Sequence, residues 1–133
     1  MSKTINATGK RKRAVARASV SAGDGKIIIN KRPLLTYEPE AYRLRIIEPI
    51  IIAGEAAKKI DFRVTVTGGG AQGQAEAARL AIAKGLVAFT GSKTLKKEFL
   101  SYDRHLIIAD VRRNEPHKPN DSKPRAMRQT SYR

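Results

Sequence analysis

Two stretches of this chain alternate apolar and polar positions, and a third repeats apolar positions with a helical period. Ala14, Ala16, Ala18 and Val20 alternate with Val15, Arg17 and Ser19, which predicts a strand with one small apolar face. Phe62, Val64 and Val66 alternate with Asp61, Arg63, Thr65 and Thr67, the pattern of a half-buried strand. Gly23-Asp24-Gly25 is a turn signal, and Lys26 to Asn30 with three isoleucines predicts a further strand. The expectation is a hairpin between that strand and Ala14–Val20. Pro39 to Glu48 reads as a short helix interrupted by Pro49, with Ile50 to Gly54 closing the segment. Gly68-Gly69-Gly70 ends the second alternating strand. Ala75, Ala78, Ile82, Leu86 and Phe89 then mark one face of a helix from about Ala71 to Thr90. Gly91 suits its C-terminal cap, and Ser92 suits the N-cap of a next helix, Lys93 to Leu100. Leu106 to Ala109 predicts a last short strand.

This order implies an α+β fold in two layers, a small mixed β-sheet with helices on one face, because both helical stripes need a surface to cover. No internal repeat is present. The predicted organisation is a single domain over residues 1–110 and an extended basic C-terminal tail over residues 111–133. The tail holds Arg112, Arg113, Lys118, Lys123, Arg125, Arg128 and Arg133 against Glu115 and Asp121. Pro116, Pro119 and Pro124 break any helix there, and only Val111, Met127 and Tyr132 are large and apolar. Such a segment buries too little to offset the entropy of ordering itself, so the expectation is a mobile arm that orders on an anion.

Charge sharpens that expectation. The chain of 133 residues carries a net charge of +15, concentrated at its ends. Residues 1–32 hold nine Lys/Arg and one acid, whereas residues 33–110 hold eleven and nine. A nearly neutral body with two basic ends points to a polyanion, and nucleic acid fits better than a generic charged surface. The sequence has no cysteine, so disulfides, thiol chemistry and Cys-ligated zinc are excluded. No apolar run approaches the roughly 20 residues of a membrane helix, and no signal-peptide stretch opens the chain. A cytoplasmic protein without a membrane partner is expected.

Two motifs carry candidate chemistry. Gly68-Gly69-Gly70-Ala71-Gln72-Gly73 satisfies the dinucleotide pattern G-x-G-x-x-G between a strand and a helix. The acid needed about 20 residues on to hold a ribose is missing, since Ala88 to Lys97 has no Asp or Glu. Too little folded chain follows for a second half of that fold, and Gln74 stands where a Walker loop needs lysine. Two readings stay open: a turn that needs positive φ, or free amides of Gly69 and Gly70 at a helix N-terminus holding one phosphate. The second motif is Lys10-Arg11-Lys12-Arg13 with Arg17. Adjacent cations repel unless an anion offsets them, so phosphate contact is the preferred reading over a solvated face. His105 and His117 have no partner set that would make a metal site, and no nucleophile or paired carboxylates argue for an enzyme. Neither metal nor cofactor is expected. Tyr37, Tyr42, Phe62, Phe89, Phe99 and Tyr102 are expected in the core rather than under stacked bases.

These segments together resemble a family. Gly9 to Arg17 (GKRKRAVAR), Gly23 to Asn30 (GDGKIIIN), Gly68 to Leu86 (GGGAQGQAEAARLAIAKGL), Tyr102 to Arg104 (YDR), and DVRRNEPHKP with the terminal SYR are similar to small-subunit ribosomal protein nine, in its archaeal form. The likeness runs from about Gly9 to Arg133, and its specificity lies in the order and spacing of the motifs. It implies a mixed sheet with helices on one face and a left-handed crossover. It implies a structural protein of the ribosomal head that binds small-subunit ribosomal RNA beside neighbouring head proteins. It also implies a tail that reaches the peptidyl-site tRNA. By that resemblance Lys10 to Arg13, Arg17, Arg125 and Arg128 face ribosomal RNA, and Ser131, Tyr132 and Arg133 lie near the tRNA; Arg112, Arg113, Lys118 and Lys123 are expected RNA contacts from the charge of the tail. Gln129 also matches the RNA-lining stretch. Met127 and Thr130 depart from the basic residues of the pattern. An architectural DNA-binding protein is the competing class, but no exposed apolar wedge or heptad seam supports it.

Overall fold

The structure, a computed structural model, describes residues 4–37, 40–103 and 106–107. Five strands form one mixed sheet: β1 (Thr4–Arg11), β2 (Ala14–Ala22), β3 (Ile27–Ile29), β4 (Arg32–Pro33) and β5 (Ile60–Thr67). Three helices cover it: α1 (Glu40–Ala53), α2 (Ala71–Thr90) and α3 (Lys93–Tyr102). The strand order across the sheet is β1-β2-β5-β3-β4. This is the expected α+β architecture, with more strands than the sequence pattern shows.

Alternation decides which face is covered. Ala14, Ala16, Ala18 and Val20 of β2 and Ile60, Phe62, Val64 and Val66 of β5 are all buried, while Arg17, Ser19, Arg63 and Thr65 between them are exposed. The buried rows meet α2, whose Ala75, Ala78, Ile82 and Leu86 point into the same core. Small residues bring the layers close. A side chain on Gly9 of β1 would collide with the backbone of α2 at Ala77 and Ala81, so only hydrogen fits there. The ends of the helices match the expected caps. Gly91 takes φ 65° and donates its N–H to the Val87 carbonyl at 2.8 Å. The Ser92 Oγ accepts the Leu95 N–H at 3.1 Å, and α3 runs two residues beyond the predicted end.

Four expectations need correction. First, β2 and β3 do not form a hairpin. Strand β5 lies between them, antiparallel to β2 and parallel to β3. The eight residues of β5 register with β2 along their whole length, and the three of β3 cannot compete for that edge. The Gly23–Gly25 turn instead steps across the end of β5. There Asp61 Oδ1 accepts the N–H groups of Asp24, Gly25 and Lys26 at 2.9, 3.0 and 2.9 Å. Those bonds hold its carboxyl below the usual carboxylate range, the Lys26 amide contributing most. Second, α1 runs through Pro49 to Ala53. A helix-interior proline costs about 3 kcal/mol, but Ile46 is fully buried and Ile47, Ile50 and Ile52 pack on the core. Full burial of Ile46 returns roughly 1.5–3 kcal/mol, and the half-buried Ile47, Ile50 and Ile52 add to it, so burial wins.

Third, Leu106 is not in a strand. It sits in a turn whose N–H reaches the Asp103 carbonyl at 3.0 Å, with its side chain wholly buried in the core. An apolar run too short for a period says only that it is buried, and Ile108 and Ala109 lie outside the described residues. Fourth, Tyr102 is exposed and not part of the core. The basic tail from Val111 onward lies outside the described residues, as does His105.

One buried charge ties the helices together. Arg79 of α2 is 4% exposed, and its Nη2 lies 2.6 Å from Glu48 Oε2 of α1 and 3.1 Å from Asp103 Oδ2 at the end of α3.

Candidate nucleic-acid interface

Strand β1 was not apparent from its pattern, and it changes the meaning of the basic run. Arg11 pairs with Ala14 across the sheet, so Lys12 and Arg13 form a two-residue turn joining β1 to β2. Lys12 takes φ 54°, in the left-handed region where glycine and asparagine are favoured. A lysine held there costs some stability, as Lys31 with φ 69° does in the turn between β3 and β4.

The Gly-rich turn packs against this hairpin tip. Gly68 and Gly69 take φ 77° and 66°. At Gly68 a Cβ would lie 2.5 Å from the Arg13 carbonyl oxygen. The two open readings of this turn are therefore compatible, because positive φ at these glycines is what sets the start of α2 beside Lys12 and Arg13. Gly70 is the N-cap of α2, with no side-chain bond to the first amides and no acid in the first turn. Uncapped amides at the positive end of a 20-residue helix suit an anion.

Together these elements line a cleft of about 640 Å³, formed by Arg11, Lys12, Arg13, Gly69, Gly70, Ala71, Gln72 and Gly73 with Tyr42 and Glu76. Glu76 is the acid among these residues, and it is already engaged. Its Oε2 lies 2.6 Å from Arg11 Nε, and its Oε1 lies 3.7 Å from Arg45 Nη1. Arg11 thus braces the wall, while Lys12 and Arg13 are exposed at the rim. Tyr42 and Arg45 on α1 were missed as site residues. Their spacing of three places them on one helix face, but the sequence says nothing of what that face adjoins.

The structure splits the predicted basic motif. Lys12 and Arg13 join Gly69 and Gly70 at the cleft, with Arg11 behind them. Lys10 and Arg17 alternate with residues that face α2 and so lie on the uncovered face of the sheet. The remaining predicted contacts, Arg112, Arg113, Lys118, Lys123, Arg125, Arg128, Ser131, Tyr132 and Arg133, lie outside the described residues. Among the described residues no group of His, Asp or Glu side chains could hold a metal ion, and no helix is long and apolar enough to cross a membrane.

Fold and cleft define a small basic α+β domain with an opening between a cationic turn and a helix N-terminus. Residues 9–133 match the family described as ribosomal protein S9/S16, and the chain belongs to that family. It is 50% identical over 133 residues to the small ribosomal subunit protein uS9 of Methanococcus maripaludis (strain C7), covering 98% of this chain and 99% of that one. The uS9 proteins of a second strain of that species, C5, and of Methanococcus vannielii are likewise 50% identical with the same coverage. The chain is therefore an archaeal-type structural protein of the small ribosomal subunit and not an enzyme.

Proposed function

We propose that this protein binds ribosomal RNA in the head of the small subunit through the cleft between the β1–β2 turn and the start of α2, and that its C-terminal tail reaches the peptidyl-site tRNA. The observation that carries the RNA reading is the meeting of two independent anion-seeking features in one opening. The Lys12–Arg13 turn supplies exposed cations, and the uncapped amides after Gly70 supply directed donors. An RNA phosphate seated there takes bonds from both. Such contacts fix position and orientation without reading sequence.

The tail carries seven Lys/Arg against two acids and ends in Ser131-Tyr132-Arg133. Arg112, Arg113, Lys118, Lys123, Arg125 and Arg128 line RNA along its path, and Arg133 meets a tRNA phosphate with its planar guanidinium. That composition and the terminal motif support the assignment.

The test is filter binding of the full chain to transcribed small-subunit ribosomal RNA over a range of salt. The variant K12Q/R13Q removes two phosphate contacts, so the log–log salt slope drops by about 1.4–1.8 at ~0.7–0.9 per contact. An unchanged slope means that the turn is only solvated. For the tail, subunits assembled with protein lacking residues 131–133 are compared with intact ones for peptidyl-site tRNA affinity. Weaker tRNA binding with normal assembly is expected; equal affinity removes the tRNA role.

A further inference from the structure

We propose that the uncovered face of the sheet is a second docking surface for RNA backbone, built on a diagonal of four cations: Lys10, Arg17, Arg63 and Lys26. It rests on the reading of this chain as an RNA-binding protein, and it adds a surface separate from the cleft. The residues come from four different segments, and only the strand register brings them into line.

Lys10 on β1 stands opposite Val15 of β2, and Arg17 is two residues further along β2. Arg17 stands opposite Thr65 of β5, and Arg63 is two residues further in the same direction. Arg63 stands opposite Ile28 of β3, which runs parallel to β5, so Lys26 falls at the next level. Lys26 lies just before β3 but continues its ladder, since its carbonyl accepts the Phe62 N–H at 2.8 Å. Each step moves one strand across and two residues along, about 8 Å. The four cations therefore span roughly 24 Å of sheet.

All four are exposed, and among the described residues none of them makes an ion pair. Neighbours on the diagonal lie within about one Debye length of each other, so they repel unless an anion runs along them. The residues beside the stripe are Asn6, Thr8, Ser19, Thr65 and Thr67, short polar side chains suited to phosphate oxygens and ribose hydroxyls. Ser19, Ser21, Lys26 and Arg63 also line a shallow cavity of about 510 Å³ with Asp61 at its end. Asp61, whose Oδ1 accepts three backbone amides, keeps its charge and interacts with Lys26 at one end of the stripe, so one carboxylate faces four cations and the stripe stays net positive. A protein partner is disfavoured by the lack of an apolar centre: Val15 and Ile28 are the large apolar side chains of this face, and both are half-buried.

The experiment uses the full chain and the transcribed small-subunit ribosomal RNA. The variant K26Q/R63Q leaves every residue of the cleft in place. The salt slope of binding should drop by about 1.4–1.8, with an unchanged circular dichroism spectrum. An unchanged slope for K26Q/R63Q while K12Q/R13Q lowers it overturns this surface and leaves the cleft standing. If neither variant alters the slope, the RNA reading itself fails. Labelling of the Lys26 amine in the unaltered protein decides independently of how the variant folds. Protection by the transcript alone supports the proposal. Protection only after other small-subunit proteins are added makes the face a protein interface and overturns it.

Discussion

Replacing Gly68 by alanine tests the coupling between fold and cleft. Gly68 has φ 77°, and an L-residue in that conformation costs about 1–2 kcal/mol. Its new Cβ would stand 2.5 Å from the Arg13 carbonyl oxygen, closer than the 3.0 Å below which something must shift. The opposing atom belongs to backbone, so the β1–β2 turn has to retreat by about half an ångström or more. Overlaps of this kind cost about 1–3 kcal/mol, which brings the total to roughly 2–5 kcal/mol. The move also draws Lys12 and Arg13 away from the open amides of α2. The control is Gly70→Ala. Gly70 has φ −95°, and a Cβ there meets nothing within 4 Å. A weaker N-cap is offset by a less flexible unfolded chain, each about 0.5–1 kcal/mol, so the change in stability is close to zero.

Urea unfolding followed by far-ultraviolet circular dichroism suits a chain without tryptophan. With a slope of about 2 kcal/mol per molar urea, the middle of the usual range, Gly68→Ala should lower the midpoint by about 1–2.5 M, and Gly70→Ala should leave it in place. Binding to the ribosomal RNA transcript should weaken for Gly68→Ala under conditions where the variant is still folded. Equal midpoints for the two variants would refute the reasoning, because their predicted difference rests wholly on φ and on the Arg13 contact.

Two further perturbations probe the frame around the cleft. Arg79→Ala removes the guanidinium that Glu48 and Asp103 share; breaking a buried pair costs about 3–5 kcal/mol. Their side chains are 27% and 35% exposed, so the lower end is expected, read as a lost urea midpoint that Glu48→Gln in the same chain partly restores. Asp61→Asn removes a carboxylate whose folded-state pKa is depressed by the Lys26, Asp24 and Gly25 amides. Its contribution is therefore present above the ordinary carboxylate pKa of about 3.9 and lost as pH falls through the lower folded value. The stability gap between wild type and Asp61→Asn should be constant from pH 5 to 7 and narrow below about pH 4; a gap independent of pH down to 2 would exclude this origin.

Local patterns were legible where one element buries its own face. The alternation of Phe62, Val64 and Val66, the stripe from Ala75 to Leu86 and the caps at Gly91 and Ser92 all lie within one segment, and all appear as read. Pairing was not legible, because a turn signal such as Gly23-Asp24-Gly25 reports where the chain bends and not which edge it reaches. Strand β1 hid for a related reason. Its outward positions carry Asn6, Thr8 and Lys10, and its inward ones carry Ile5, Ala7 and Gly9, of which Ile5 alone is large, too little to print a hydrophobic alternation. Those same small residues are what let α2 approach the sheet. The candidate site follows this division. Lys10 to Arg13 are consecutive in sequence and read as one basic motif, yet the pleat and the turn send them to different surfaces. Lys26 and Arg63 are isolated in sequence, separated from any basic run, and gain meaning only when β3 lies parallel beside β5. A cluster of like charge along the chain thus says that cations are present, whereas strand register decides which of them share a surface.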